Sequence, residues 1–244
     1  DEERKYMRKI YEKNELLFAL VWIAIYVIGA SVSDNISKTI GVPHLITVFF
    51  SAAILVVLLV FMFRNGLTEK YGLCGFKGSP KKFLFFIPLA AICTINFWNG
   101  AAVEPSLGEC IVTALALGIS GVVEELTMRG LLFKYMCKSN IRTAVVVSSL
   151  TFGLGHIVNL LNGAPLFSTV CQIIYACAVG FCFTMVFMFG KSIIPCAAAH
   201  FIVNASSAFG AAAADTQIFD MTGTIFLTVV SAGYGIWLAM KHKK

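Results

Sequence analysis

Two adjacent glutamates and an arginine lie at the end of an apolar stretch that otherwise has the composition of a membrane-spanning helix. They are Glu124, Glu125 and Arg129. An ionisable side chain at the centre of a membrane helix costs about 2.5–3.5 kcal/mol on the insertion scale, so such residues are candidates for a functional site. Glu125 and Arg129 are four residues apart on one helical face, where the arginine can neutralise the carboxylate. Glu124 is left over, and its carboxylate is available for proton transfer.

Two histidines and an asparagine are the other polar side chains that stand out inside apolar segments. His156 follows Phe152 by four residues and His200 precedes Asn204 by four, so each pair shares one helical face. Counted from the nearest basic residues at about 1.5 Å per residue, both histidines and Glu124 lie near the midplane or on its basic side. We therefore expect these three groups to share one cavity. Interhelical hydrogen bonding is the alternative role for each of them taken alone.

The elements that carry these residues are hydrophobic enough to lie in a lipid bilayer. Hydrophobic residues make up 58% of the 244 and charged residues 13%, and the mean hydropathy is +0.83, far from the values of soluble domains. A helix needs about 20 apolar residues to cross a hydrocarbon layer of about 30 Å. The pattern predicts an all-α, polytopic membrane helix bundle of about eight transmembrane helices, at residues 16–33, 45–63, 83–98, 107–128, 143–160, 167–189, 193–209 and 222–240.

The basic residues indicate the orientation of this bundle, because Lys and Arg are retained in cytoplasmic loops. Of the 19 Lys and Arg residues, all except Lys38 precede the first span or follow an even-numbered one. We expect a multi-pass cell-membrane protein with both termini cytoplasmic and loops 34–44, 99–106, 161–166 and 210–221 outside. No nucleic-acid surface is expected, because neither an aromatic platform nor a binding motif accompanies the basic residues.

The predicted organisation is a single membrane-embedded domain at 16–240, with a charged cytosolic lead-in at 1–15 and a basic tail at 241–244. The first span is too long for a removable signal peptide. Because the first residue is Asp1 and not Met, trimming of the natural amino terminus stays open. The eight cysteines lie mostly inside spans and form no C-x-x-C pair, so we interpret them as packing residues.

Three short motifs follow one another, each on its own hydrophobic segment. They are E-E-x-x-x-R at 124–129, F-x-x-x-H at 152–156 and H-x-x-x-N at 200–204. In this order they resemble the signature motifs of the CAAX-protease and bacteriocin-processing family, also called the Abi family, which includes type II CAAX prenyl endopeptidases. The resemblance covers roughly residues 107–209. Met128 departs from it, since family members often have an aromatic residue there, but this is a packing position.

The resemblance implies an intramembrane endopeptidase. In such an enzyme Glu124 and His156 would activate a water, and His200 with Asn204 would stabilise the oxyanion. Peptide hydrolysis needs a base for the water and preorganised donors for the developing negative charge, and a cavity with little water strengthens both effects. The remaining motif residues would support this site: Glu125, Arg129 and Phe152.

The need for a metal is open at this point. Glu124, His156 and His200 could form a two-histidine, one-carboxylate set for a divalent metal such as zinc. The chain has no H-E-x-x-H motif, however, and using all three residues as ligands would leave no evident base. We favour a glutamate mechanism without a cofactor.

Two other functions are compatible with parts of the sequence. Residues 118–121 match the G-x-S-G of rhomboid-like serine proteases, in which Ser120 would act with His200. That dyad gives no role to the charged residues of the first motif. A non-enzymatic transporter or scaffold would use the buried charges as a proton relay or as pins between helices, although no inverted repeat is evident. Alanine variants at Ser120, Glu124 and His156 distinguish these functions.

The substrate is the least determined feature. The family name refers to removal of three residues after a prenylated cysteine, whereas a compact chain of this size resembles prokaryotic members. For those the resemblance implies peptide maturation, CAAX-type processing or bacteriocin self-immunity. The expected partner is a peptide or lipidated protein that enters from the lipid bilayer or from the cytoplasmic side.

Overall fold

The computed structural model describes residues 2–242, with side chains described from Met7 onward. Within this range the chain is helical and has no β-strand, which confirms the predicted all-α class. Asp1 of the predicted lead-in and Lys243 and Lys244 of the predicted tail lie outside the described residues. The helices are α1 (Glu2–Lys13), α2 (Glu15–Ile40), α3 (Leu45–Arg64), α4 (Ile87–Ile92), α5 (Leu107–Glu125), α6 (Lys134–Met136), α7 (Ile141–Gly155), α8 (Val158–Leu161), α9 (Leu166–Gly190), α10 (Ile194–Ser206) and α11 (Thr216–Lys241).

Single capping residues explain where two helices that are longer than the predicted spans begin or end. Asp215 accepts a hydrogen bond from the backbone N–H of Ile218, so α11 begins there and not at residue 222. At the other end of the chain, α2 continues through polar residues until Gly41, whose φ of 84° ends it. Parts of the predicted loops 34–44 and 210–221 are therefore helical.

In the part of the chain that the structure describes, seven helical segments are long and apolar enough to cross a membrane. Many of their large apolar side chains face outward, where a bilayer would cover them. The chain is a multi-pass membrane protein. The predicted span at 193–209 is the exception, because Ile194–Phe209 is a shorter apolar helix. This helix nevertheless runs between loops at opposite ends of the bundle. Before its first residue the Ile193 N–H donates to the Gly72 carbonyl, and after its last residue Gly210 forms a β-bridge with Ala101.

The predicted span at 83–98 is broken. Short 3-10 turns at Pro80–Phe86 and Ile95–Phe97 flank the six-residue α4. Leu84, Phe85 and Phe86 have positive φ angles of 50°, 51° and 59°, which a continuous right-handed helix does not allow. The apolar composition of this segment thus predicted a regular helix that the local backbone does not form.

The fourth predicted span is longer than expected and irregular at its centre. After Glu125 the helix widens into a π-helical segment, Leu126–Phe133, in which every residue is buried. It then returns to α-helical geometry as α6, and the continuous helical segment runs from Leu107 to Met136. π-Helical turns are rare in proteins, and those that occur often lie at functional sites. This one begins directly after the two motif glutamates.

The loop at residues 65–79 packs over the end of the bundle at which both termini lie. Tyr71 is only 1% exposed, and its hydroxyl donates to the hydroxyl oxygen of Tyr11 on α1 at 2.9 Å. Burial, together with this contact, raises the pKa of Tyr71 well above its usual value. Lys70 links the same loop to Tyr11 and to Glu15. The loop and α1 together close this end of the bundle.

Candidate active site

The ion pair predicted within the first motif is present and completely buried. Arg129 Nη1 donates to Glu125 Oε1 at 2.8 Å, and neither side chain is exposed. The guanidinium lies 4.0 Å from the centroid of the Phe152 ring and 5.7 Å from that of Phe183. Among residues 7–242, whose side chains are described, Arg129 Nε and Nη2 have no hydrogen-bond partner, so the aromatic faces provide much of the favourable environment of the cation. Phe152 thus supports the site through Arg129.

His200 contacts both glutamates of the first motif. Its Nδ1 lies 3.0 Å from Glu125 Oε1, and its Nε2 lies 3.7 Å from Glu124 Oε2. An ionised carboxylate only accepts hydrogen bonds, so Nδ1 donates to Glu125 and Nε2 faces Glu124. Gly121 leaves room for the ring, since a Cβ at that position would lie 3.0 Å from the imidazole carbons. The contact between His200 and Glu125 was not predicted from the sequence.

Glu124 also has a partner that the sequence did not reveal. The Tyr26 hydroxyl donates to Glu124 Oε1 at 2.7 Å, across 98 residues of sequence. Tyr26 lies in the middle of α2 and is 7% exposed, whereas the Glu124 side chain is 19% exposed. A lone tyrosine inside an apolar span was the one sequence signal for it, and it belongs to none of the three motifs. The carboxylate is therefore held on one oxygen and accessible on its other side.

A cavity of about 410 Å³ lies beside these residues, and Glu124, His156 and Asn204 line it. His200 stands behind its wall, in contact with Glu124. The Phe152 ring lies edge-on between the two imidazoles, with its centroid 5.6 Å from that of His156 and 5.6 Å from that of His200. The structure thus places Glu124, His156 and Asn204 on one cavity, as expected, whereas His200 lies behind the wall and does not line it.

Asn204 is fixed against the helix that carries the glutamates. Its Nδ2 donates to the Leu117 carbonyl at 3.2 Å. A Cβ at Gly121 would lie 3.2 Å from the same nitrogen, so the glycine admits the amide as well as the imidazole. The NH₂ group has a second hydrogen that can be donated to a bound molecule.

The G-x-S-G sequence of α5 has a packing explanation in the structure. A Cβ at Gly118 would lie 2.7 Å from the Phe201 ring, so this glycine and Gly121 allow α10 to approach α5 closely. The Ser120 hydroxyl forms a 2.9 Å hydrogen bond with that of Ser51. These contacts do not form the serine–histidine dyad that a rhomboid-like mechanism requires.

The residues considered for zinc have other partners in this arrangement. Among the side chains described, from Met7 to His242, no three His, Cys, Asp or Glu residues are grouped as metal ligands would be. His200 Nδ1 is occupied by Glu125, and Glu124 Oε1 is occupied by Tyr26.

The fold and the site together define a class: a multi-pass membrane protein with a buried group of acid–base side chains next to a cavity. Comparison with known families is more specific. Residues 105–206 match the family described as "Rce1-like: Type II CAAX prenyl endopeptidase Rce1-like". This segment contains all three motifs, and the match supports the CAAX-protease family that their resemblance indicated. The family is one of intramembrane CAAX-type endopeptidases. No curated protein matches the chain significantly.

Proposed function

We propose that the chain is an intramembrane endopeptidase that hydrolyses a peptide bond with a water activated by Glu124 and His156. The observation that carries the proposal is the shared cavity: both side chains line it, and a fully buried ion pair stands directly behind Glu124. Among the side chains described, from Met7 to His242, none forms a hydrogen bond with the imidazole of His156, so both of its nitrogens are available to a water or substrate in the cavity.

The chemical step needs a base on one side of the water. In our proposal Glu124 takes a proton from the water while the water oxygen attacks the carbonyl carbon of the substrate. Glu124 then delivers this proton to the leaving amine as the C–N bond breaks. Tyr26 holds Oε1 of the carboxylate, which leaves Oε2 as the proton acceptor. His156 orients the same water from across the cavity.

The developing oxyanion needs donors that are in place before the reaction. In our proposal the Asn204 amide, which lines the cavity, is one donor, and Nε2 of His200, which lies at the wall 3.7 Å from Glu124 Oε2, is the second. Since Nδ1 already donates to Glu125, a donor role for Nε2 requires a proton on each ring nitrogen. Two carboxylates then face two cations, Arg129 and His200, so the buried group carries no net charge. Glu125 and Arg129 act as positioning residues for His200.

We expect Tyr26→Phe to lower kcat by roughly 10- to 100-fold with little change in KM, because a hydrogen bond to a charged group contributes about 1.5–3 kcal/mol. Steady-state kinetics on a quenched-fluorescent peptide would measure this. Tyr234→Phe is the matched control, since the buried Tyr234 hydroxyl also donates one 2.7 Å hydrogen bond, to the Phe83 carbonyl far from the cavity. Equal kcat losses in the two variants would show that Tyr26 has only a structural role.

Inhibitors and one further variant separate this mechanism from the serine and metal alternatives. Ser120→Ala is expected to retain most of the cleavage activity, and fluorophosphonates are expected not to inhibit, because Ser120 is bonded to Ser51. Activity is expected to survive exhaustive treatment with a strong zinc chelator. A loss that zinc restores would instead make Glu124, His156 and His200 metal ligands. An inactive Ser120→Ala variant, together with fluorophosphonate labelling that wild type shows and the variant loses, would favour the rhomboid-like mechanism.

For the biological role we propose a substrate class and a set of candidate uses. A peptide or lipidated protein is the substrate class that the family supports, and peptide maturation, CAAX-type processing and bacteriocin self-immunity are its candidate uses. For the orientation, we propose cytoplasmic termini in the cell membrane. The distribution of the basic residues supports this, with Lys38 as the one exception.

A further inference from the structure

Within the described residues the cavity extends from the active site toward one end of the bundle. Beyond Glu124 it is lined by residues from the last turns of α2, from the turn that leads into α3, from α8 and from the turn after α8. All of these elements end at the face opposite the two termini. The lining residues in this outer part are Ser31, Asp34, His44, Asn159 and Asn162.

In the opposite direction the site is closed. All eight residues of the π-helical segment Leu126–Phe133 are buried directly below Glu125. The loop at 65–79 covers this segment, because a Cβ at Gly130 would lie 3.7 Å from the Tyr71 carbonyl oxygen. Tyr71 itself is buried and is bonded to α1. A peptide coming from the face of the termini would have to displace both the loop and α1.

The rim of the cavity is polar and its charges are largely paired. Asp34 lies 3.0 Å from Lys38 Nζ and 2.8 Å from His44 Nδ1. The Ser31 hydroxyl donates to Asn162 Oδ1 at 2.8 Å and joins α2 to the turn before α9. The side chains of Lys38, His44 and Asp34 are nevertheless 52%, 27% and 17% exposed, and an apolar chain would remove the water from them. Such a rim is suited to a hydrated peptide and not to a lipid chain.

The wall of the cavity is rich in side-chain amides, which come from five different positions. An amide offers both a donor and an acceptor, as does each peptide unit of an extended chain. The NH₂ groups of Asn96, Asn159 and Asn204 donate hydrogen bonds to the protein, which leaves their amide oxygens to accept hydrogen bonds from other partners. The amide residues are Asn96, Asn159, Asn162, Gln172 and Asn204.

We propose that the active site is entered from the face opposite the termini, and that its substrate is an extended, hydrophilic peptide segment on the extracytoplasmic side. The proposal rests on the proposed protease function and on cytoplasmic termini. The sequence led us to expect entry from the lipid bilayer or from the cytoplasmic side; this proposal replaces both routes, and the closure of the site at the face of the termini argues against the cytoplasmic one. It also disfavours the prenylated tail of a cytoplasmic protein as the substrate.

Thiol labelling tests the direction of access without requiring activity. In a cysteine-free background, Ser31→Cys places a thiol in the cavity, Ser79→Cys places one on the exposed loop at the face of the termini, and Ile28→Cys places one on the outer surface of α2. A membrane-impermeant thiol reagent is applied to right-side-out and to inside-out vesicles. We expect Ser31→Cys to react only from outside, Ser79→Cys only from inside, and Ile28→Cys from neither side.

Reaction of Ser31→Cys from inside, or only after detergent, would overturn the proposal, and so would labelling of Ile28→Cys as fast as Ser31→Cys. Wild-type protein provides a second measurement if the cysteine-free chain does not fold. An impermeant quenched-fluorescent peptide should be cleaved by right-side-out vesicles, and by inside-out vesicles only after detergent; the reverse pattern contradicts the proposal. Failure of cleavage even in detergent would count against the protease function, while labelling would still decide the side of access.

Discussion

Arg129→Ala is expected to lower the folding yield and the melting temperature of the protein and to abolish peptide cleavage with them. The variant leaves the Glu125 carboxylate without its cation in a site that has no exposure to solvent. Removing one partner of a buried ion pair typically costs about 3–5 kcal/mol, which is a large part of the stability of an ordinary domain. Thermal unfolding in a mild detergent, followed together with the yield of monodisperse protein, measures the effect.

Two further variants separate the charge of Arg129 from its geometry. Arg129→Lys keeps the charge but loses the flat contact with Phe152, so an intermediate melting temperature is expected. The double variant Glu125→Gln/Arg129→Met removes both charges and should recover part of the stability lost in Arg129→Ala. It should remain inactive, because His200 then lacks its ionised acceptor. A wild-type melting temperature for Arg129→Ala would show that the pair does not stabilise the fold.

The parts of the fold that depend on composition were predictable from the sequence. Long apolar runs must form helices in a bilayer, because every backbone polar group has to be satisfied within its own segment. Most spans were therefore located correctly. Their ends were less predictable where a single residue decides them, as Gly41 and Asp215 do. The positive φ angles at 84–86 have no counterpart in hydropathy, and the broken helix there was missed.

The candidate site was predictable to the extent that its contacts are local. The pairing of Glu125 with Arg129 follows from the spacing of four residues on one helix. The contact of His200 with Glu125 and the hydrogen bond from Tyr26 to Glu124 join distant segments. They depend on how the helices pack, which glycines such as Gly121 decide through close approach. No spacing rule on one chain reveals such contacts.

Glu124→Gln and His156→Ala are expected to abolish cleavage while leaving the fold intact. Glutamine has the shape of glutamate and can still accept the hydrogen bond from Tyr26, but it cannot take a proton from water. General acid–base catalysis contributes about 10²–10⁴-fold to a rate, so loss of the base should reduce turnover by at least that factor. His156→Ala removes the second group that holds the water. Because the His156 side chain makes no hydrogen bond among residues 7–242, its removal should change the melting temperature little.

The turnover number of purified Glu124→Gln, compared with wild type on the same quenched-fluorescent peptide in the same detergent, tests the central claim most directly. Both proteins are first shown to have matching melting temperatures, so that a difference in rate reports on chemistry. The account predicts cleavage by wild type and turnover lower by a factor of about 10² or more for the variant. A folded Glu124→Gln protein that cleaves the peptide at the wild-type rate would contradict the assignment of Glu124 as the base and, with it, the proposed mechanism.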